Sequence, residues 1–98
     1  MNRIENLFKD RILNRGGLNL YSKEDTLKFI DECEKESVCI LGIDGFYITE
    51  DITQPSLTNS IDFSSFSMKN ENIYSFVKSF VAERSENLFF EIIYEEKE

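Results

Sequence analysis

Apolar residues recur at helical, strand-like and again helical spacing along the chain, and the changes of period divide it into elements. Ile4, Leu7, Phe8 and Ile12 share one face of a helix predicted over residues 3–13. Arg11 and Arg15 fall near its end, where the helix dipole favours cations, and Gly16-Gly17 supplies a left-handed stop. A second helix is predicted from Ser22, with Asp25 three residues on as a capping-box variant. Leu27, Ile30 and Cys33, flanked by Phe29, form its buried stripe. Its outer face carries Glu24, Lys28, Asp31, Glu32 and Lys35, where Glu24–Lys28 and Asp31–Lys35 are i,i+4 pairs.

Val38-Cys39-Ile40-Leu41 is apolar at every position, the pattern of a strand covered on both faces. It leads through Gly42-Ile43 into Asp44-Gly45 and then Phe46-Tyr47-Ile48-Thr49. Asp-Gly between apolar runs signals a hairpin turn. The same residues also fit one long strand with a bulge at Gly42 or Gly45. Glu50-Asp51 is the next turn, into a short strand Ile52-Thr53-Gln54 that Pro55 stops. Residues 55–68, rich in Ser, Thr and Asn, read as a long loop interrupted by Ile61 and Phe63.

Ile73, Phe76, Val77, Phe80 and Val81 give the third helix its apolar face, with Asn70 or Ser67 as cap and with Phe76 and Phe80 as core residues. Leu88 to Tyr94 is a second largely buried strand, and residues 95–98 are expected to be a solvated end. The order α-α-β-β-α-β predicts an α+β fold: a small, mainly antiparallel sheet of 3–4 strands packed against about three helices. Ninety-eight residues with 41% hydrophobic content, nine Phe and four Tyr suit a single domain, 1–98, with one core.

Charge adds a second pattern. Between Glu24 and Asp62 lie ten acidic residues and two lysines, so this stretch alone equals the chain's net charge of −8. An acidic surface repels phosphate backbones and anionic lipid, which argues against nucleic acid or membrane as partner and towards a basic protein. The N-terminus has neither an apolar run nor a small-residue cleavage site, so no signal peptide is expected, and a cytoplasmic location follows. Cys33 and Cys39 are then expected as reduced thiols packed as small hydrophobes.

Catalytic equipment is sparse. The chain has no histidine, hence no Ser–His–Asp or Cys–His arrangement, and it holds no phosphate-binding loop or dinucleotide fingerprint. Asp44 and Asp62 are the best pair for acid–base or divalent-metal chemistry, but Asp before Gly is ordinary turn chemistry. No enzyme activity, metal or cofactor is therefore expected.

The segments Leu41-Gly42-Ile43-Asp44-Gly45-Phe46, Pro55 and Ile61-Asp62-Phe63-Ser64 resemble a pattern in small immunity proteins of bacterial toxin systems, of the colicin-like and contact-dependent growth inhibition type. The resemblance implies a protein that binds and neutralises a cognate toxin domain, often by setting acidic side chains over a basic active site. Independently of it, a carboxylate-rich patch suits the basic cleft of a nuclease, because it substitutes for phosphates and steers encounter. The expected binding surface joins Glu32, Glu36, Asp44, Glu50, Asp51 and Asp62, with Phe46 or Tyr47 as its apolar centre. The competing function is a small acidic regulatory or scaffold module, pairing with itself through an edge such as Ile52-Thr53-Gln54. Monomer and homodimer are both left open.

Overall fold

Asn2 caps the first helix, its side-chain oxygen accepting from the Glu5 amide at 2.9 Å, and the structure, a computed structural model, describes residues 2–63 and 73–95 from there. Helix α1 covers only Arg3–Leu7, not the residues up to 13 that the apolar spacing suggested. Ile4 and Phe8 are buried, whereas Leu7 is exposed. Gly16 and Gly17 do not stop a helix. They form the two-residue turn between strands β1 (Leu13–Arg15) and β2 (Leu18–Ser22), with φ of 57° and 89°. Such a tight hairpin turn needs positive φ at both central residues, which glycine adopts without a Cβ penalty.

Helix α2 (Lys23–Lys35) begins where its cap predicts: Ser22 Oγ accepts from the Asp25 amide at 3.2 Å. Thr26, Phe29, Ile30 and Cys33 are buried along it. The chain leaves the helix through Ser37, at φ 57°. Strand β3 (Ile40–Ile48) is one long strand, so Asp44-Gly45 is not a hairpin turn. The register shifts between Ile43 and Gly45 against the next strand, which is the bulge reading.

Strand β4 (Thr53–Asp62) contradicts the expected stop at Pro55 and the loop beyond it. Pro55 sits opposite Phe46 on an edge strand, where a residue without an N–H is tolerated. Helix α3 (Ile73–Ala82) and strand β5 (Leu88–Tyr94) follow. The proposed caps Ser67 and Asn70, the rest of the expected loop at 64–68, and the tail at 96–98 lie outside the described residues.

The five strands form one antiparallel sheet in the order β1-β2-β5-β3-β4. The fold is α+β as expected, with five strands in place of 3–4 and the order α-β-β-α-β-β-α-β, because the glycine pair adds a hairpin near the N-terminus. One core lies between the helices and one sheet face: Ile4 from α1 and Phe8 from its C-cap, Phe29, Ile30 and Cys33 from α2, Val77 and Val81 from α3, against Tyr21, Ile43, Phe90 and Ile92. Phe76 is not a core residue; it is 53% exposed, with its ring edge-on to Phe63 at 5.7 Å. Both cysteines are free, and burial, then the charges of Glu36 and Glu32, push the Cys33 thiol up to about 12. Among the described residues no helix is long and apolar enough to cross a membrane.

Candidate protein-binding surface

The acidic stretch divides into two parts with different electrostatics. On α2 the carboxylates are largely matched within the chain. Glu24 pairs with Lys28 at 3.4 Å, Asp25 with Arg11 at 3.0 Å, Asp31 with Lys78 at 2.7 Å and Glu32 with Lys35 at 3.1 Å, and Glu36 meets Arg3. Lys35 therefore bonds Glu32 rather than the expected Asp31, whose partner comes from α3 instead. Glu32 and Glu36 thus stand in the helical layer beside their own cations, whereas Asp44 faces away from the helices.

The β3–β4 part differs. Glu50 and Asp51 are exposed in the turn and make no ion pair among the described residues. Their turn is closed by other groups: the Thr49 amide donates to the Ile52 carbonyl at 2.9 Å, and the Ile52 amide donates to Thr49 Oγ1 at 3.1 Å. Asp44 lies mid-strand on the sheet face opposite the helices, since it alternates with the buried Ile43. Its cross-strand neighbour is Glu91 on β5, and Asp62 stands opposite Gly42 one step along β4. Leu41, Gly42, Asp44, Ile61, Asp62 and Ile93 line a depression of about 290 Å³ there.

Glu91 is a member of this strip that sequence reasoning missed. It sits inside an apolar run that reads as a largely buried strand, and only the alternation Leu88, Phe90, Ile92 marks it as facing the other way. Burial, then the Asp62 charge, raises the Asp44 carboxyl above its ordinary range. Burial, then Asp44, does the same to Glu91. Carboxyls raised in the folded state hold protons that the unfolded chain has already released, so stability falls as pH rises through the interval between ordinary and raised values. Asp44→Asn and Glu91→Gln are expected to raise the unfolding midpoint at neutral pH and to flatten its decline across that interval. Denaturant titrations from acid to neutral pH check this, and an unchanged pH profile in both variants contradicts it.

Of the two aromatics expected at the centre, Phe46 is ruled out as an exposed anchor: it is 6% exposed, between Phe89 and Pro55 in register. Tyr47 is 47% exposed, and its hydroxyl accepts from Asn59 Nδ2 at 3.3 Å. The sheet thus groups Asp44, Asp62 and the additional Glu91 on its outer face, while Tyr47, opposite the core residue Leu88, belongs to the helix-bearing face, and Glu50 and Asp51 lie in the turn.

A second opening, of about 420 Å³, lies where β2 and β5 diverge beyond their pairing at Tyr21–Phe90 and Ser22–Phe89. Its polar groups serve the fold. The Tyr94 hydroxyl donates to Glu5 Oε1 at 2.7 Å and Asn19 Nδ2 donates to Glu5 Oε2 at 3.2 Å, tying α1 to both strands. Among the described residues no group of three or more metal-binding side chains has the geometry to hold an ion. No known protein family, curated protein or solved structure matches the chain.

Proposed function

We propose that this chain is an immunity-type inhibitor without enzymatic activity, which binds a basic toxin domain, a nuclease by preference, through the carboxylates of the β3–β4 hairpin. One observation carries the reading. Five of the six carboxylates of α2 and its cap, all but Glu34, have a cation within the chain, while Asp44, Glu50 and Asp51 form no ion pair among the described residues. Asp44 and Glu91, raised first by burial and then by a neighbouring carboxylate, cost stability when ionised in the free protein, and a cationic partner would offset that cost. Exposed charges of one sign also accelerate encounter with the opposite sign and penalise acidic partners.

The resemblance noted in the sequence points the same way, as do the lack of histidine and the acidic balance. Such an inhibitor would act in the cytoplasm of the producing cell, without cofactor, and would touch neither nucleic acid nor membrane. The competing reading, a regulatory or scaffold module pairing with itself through β4, is weakened at the residues such pairing needs. Pro55 lacks an N–H, and a bulge interrupts the strand after Ser56.

The chain is expected to co-purify with a basic protein domain and, at about equimolar ratio, to suppress that domain's hydrolysis of nucleic acid. Hydrolysis that continues unaltered in the presence of saturating chain contradicts the nuclease-inhibitor reading.

A further inference from the structure

We propose that Leu57 is the apolar anchor of this surface, entering a hydrophobic pocket with a basic rim on a foreign protein. The inference rests on reading the β3–β4 hairpin as a binding surface, and it adds the group that holds the complex once charge has guided encounter. Leu57 is 90% exposed, the most open of the large hydrophobic residues described. It belongs to a bulge in which four residues, Leu57 to Ser60, stand between Ser56 opposite Gly45 and Ile61 opposite Ile43, so all four face the single residue Asp44.

This protrusion is built, not loose. The Gly45 amide donates to Ser60 Oγ at 3.0 Å, and Ser60 Oγ donates to the Ser56 carbonyl at 2.7 Å. Asn59 Nδ2 donates to Ser56 Oγ at 2.9 Å and to the Tyr47 hydroxyl at 3.3 Å. From the turn after α3, Arg84 Nη1 donates to the Thr58 carbonyl at 3.4 Å, its guanidinium resting over the Phe80 ring at 4.4 Å. Gly45 makes room for the bulge, since a Cβ there would lie 2.5 Å from the Asn59 carbonyl oxygen. Hydrogen bonds thus hold a leucine out into water, where its side chain finds no core of its own. Pre-ordering of this kind lowers the entropy lost on binding.

The surroundings select the occupant. Tyr47, bonded to Asn59 of the bulge, and Ile52 are exposed on the same hairpin, and Glu50 and Asp51 stand in its turn, whereas Asp62 belongs to the other face of the sheet. A second copy brings the same net charge of −8 and meets Pro55 and the bulge where a backbone ladder would form. A pocket edged by lysine or arginine on another protein fits both the leucine and the acidic turn of the same hairpin.

The test places a photoreactive amino acid at position 57 of the full chain in its native cell. The covalent mate is identified by mass spectrometry, produced separately, and its Kd measured against wild type, Leu57→Asp and the control Leu7→Asp. Leu7 is also exposed but lies on α1. The expected mate is a different, basic protein whose Kd rises about 10- to 100-fold with Leu57→Asp, the range for losing one buried leucine. Leu7→Asp should leave the Kd unchanged within about twofold. An adduct only with another copy, an adduct only within the chain, no adduct, or a Kd indifferent to Leu57→Asp overturns the proposal. If Leu57→Asp is silent while reversal of Glu50 and Asp51 slows association, the anchor falls and the charged surface stands. If Leu57→Asp weakens binding that ignores charge and salt, the anchor stands and the electrostatic reading falls.

Discussion

Reversing both charges of the β3–β4 turn, Glu50→Lys with Asp51→Lys, is expected to slow association with the basic partner about 10- to 100-fold at low ionic strength. Near about 0.5 M salt, where the screening length falls to a few ångströms, the same variant should differ from wild type by no more than a few-fold. The change belongs to the association rate because the two side chains are exposed and take no part in closing their own turn, which the Thr49–Ile52 bonds hold. Circular dichroism and thermal midpoint should therefore match wild type. Stopped-flow association across a salt series gives the result, and a rate indifferent to both charge and salt removes these residues from the encounter.

The largest effect on the fold itself is expected from Phe29→Ala. Phe29 is fully buried on α2, with its ring 5.8 Å from Phe8, 5.0 Å from Tyr21 and 5.4 Å from Tyr94. One side chain thereby joins α1, α2, β2 and β5. Truncation of a buried phenylalanine costs about 3–5 kcal/mol, against a total of about 5–15 kcal/mol for a domain of this size. The unfolding midpoint should fall by more than about 10 °C. Calorimetry showing a drop of only about 2 °C would mean that the neighbouring rings collapse into the space, and that Phe29 is not the centre of the core.

Helix α2 and strand β5 were legible in the sequence because local and tertiary signals agree there: a serine cap ahead of a 3.6-residue stripe, and an apolar run bounded by Asn87 and Glu95. Helix α1 was overextended because Ile12 continues the helical spacing of Ile4 and Phe8. The glycine pair decides otherwise, since two residues of positive φ between Arg15 and Leu18 close a hairpin more readily than they end a helix. The ambiguity at Asp44-Gly45 resolved as a bulge because Gly45 has to admit the Asn59 carbonyl, a contact with no local trace in the sequence.

At the surface the same limits apply. Net charge was readable, but the choice between paired and unpaired carboxylates depends on Arg3, Arg11 and Lys78, which approach α2 from other elements. Leu57 lay in a stretch rich in Ser, Thr and Asn that resembled a loop, and its exposure follows only from the hydrogen bonds of the bulge. Pro55 misled for a related reason. Its meaning depends on whether the strand lies at the edge of the sheet, and that is a property of topology.

The central claim is that a basic protein meets this chain on the β3–β4 hairpin. Amide chemical-shift mapping of the labelled chain, titrated with its co-purified partner, tests it most directly. The account predicts perturbations concentrated between residues 44 and 62 and at Glu91, with the exposed side of α2 unchanged. Perturbations centred on Glu24 to Glu36, with the hairpin silent, would contradict it.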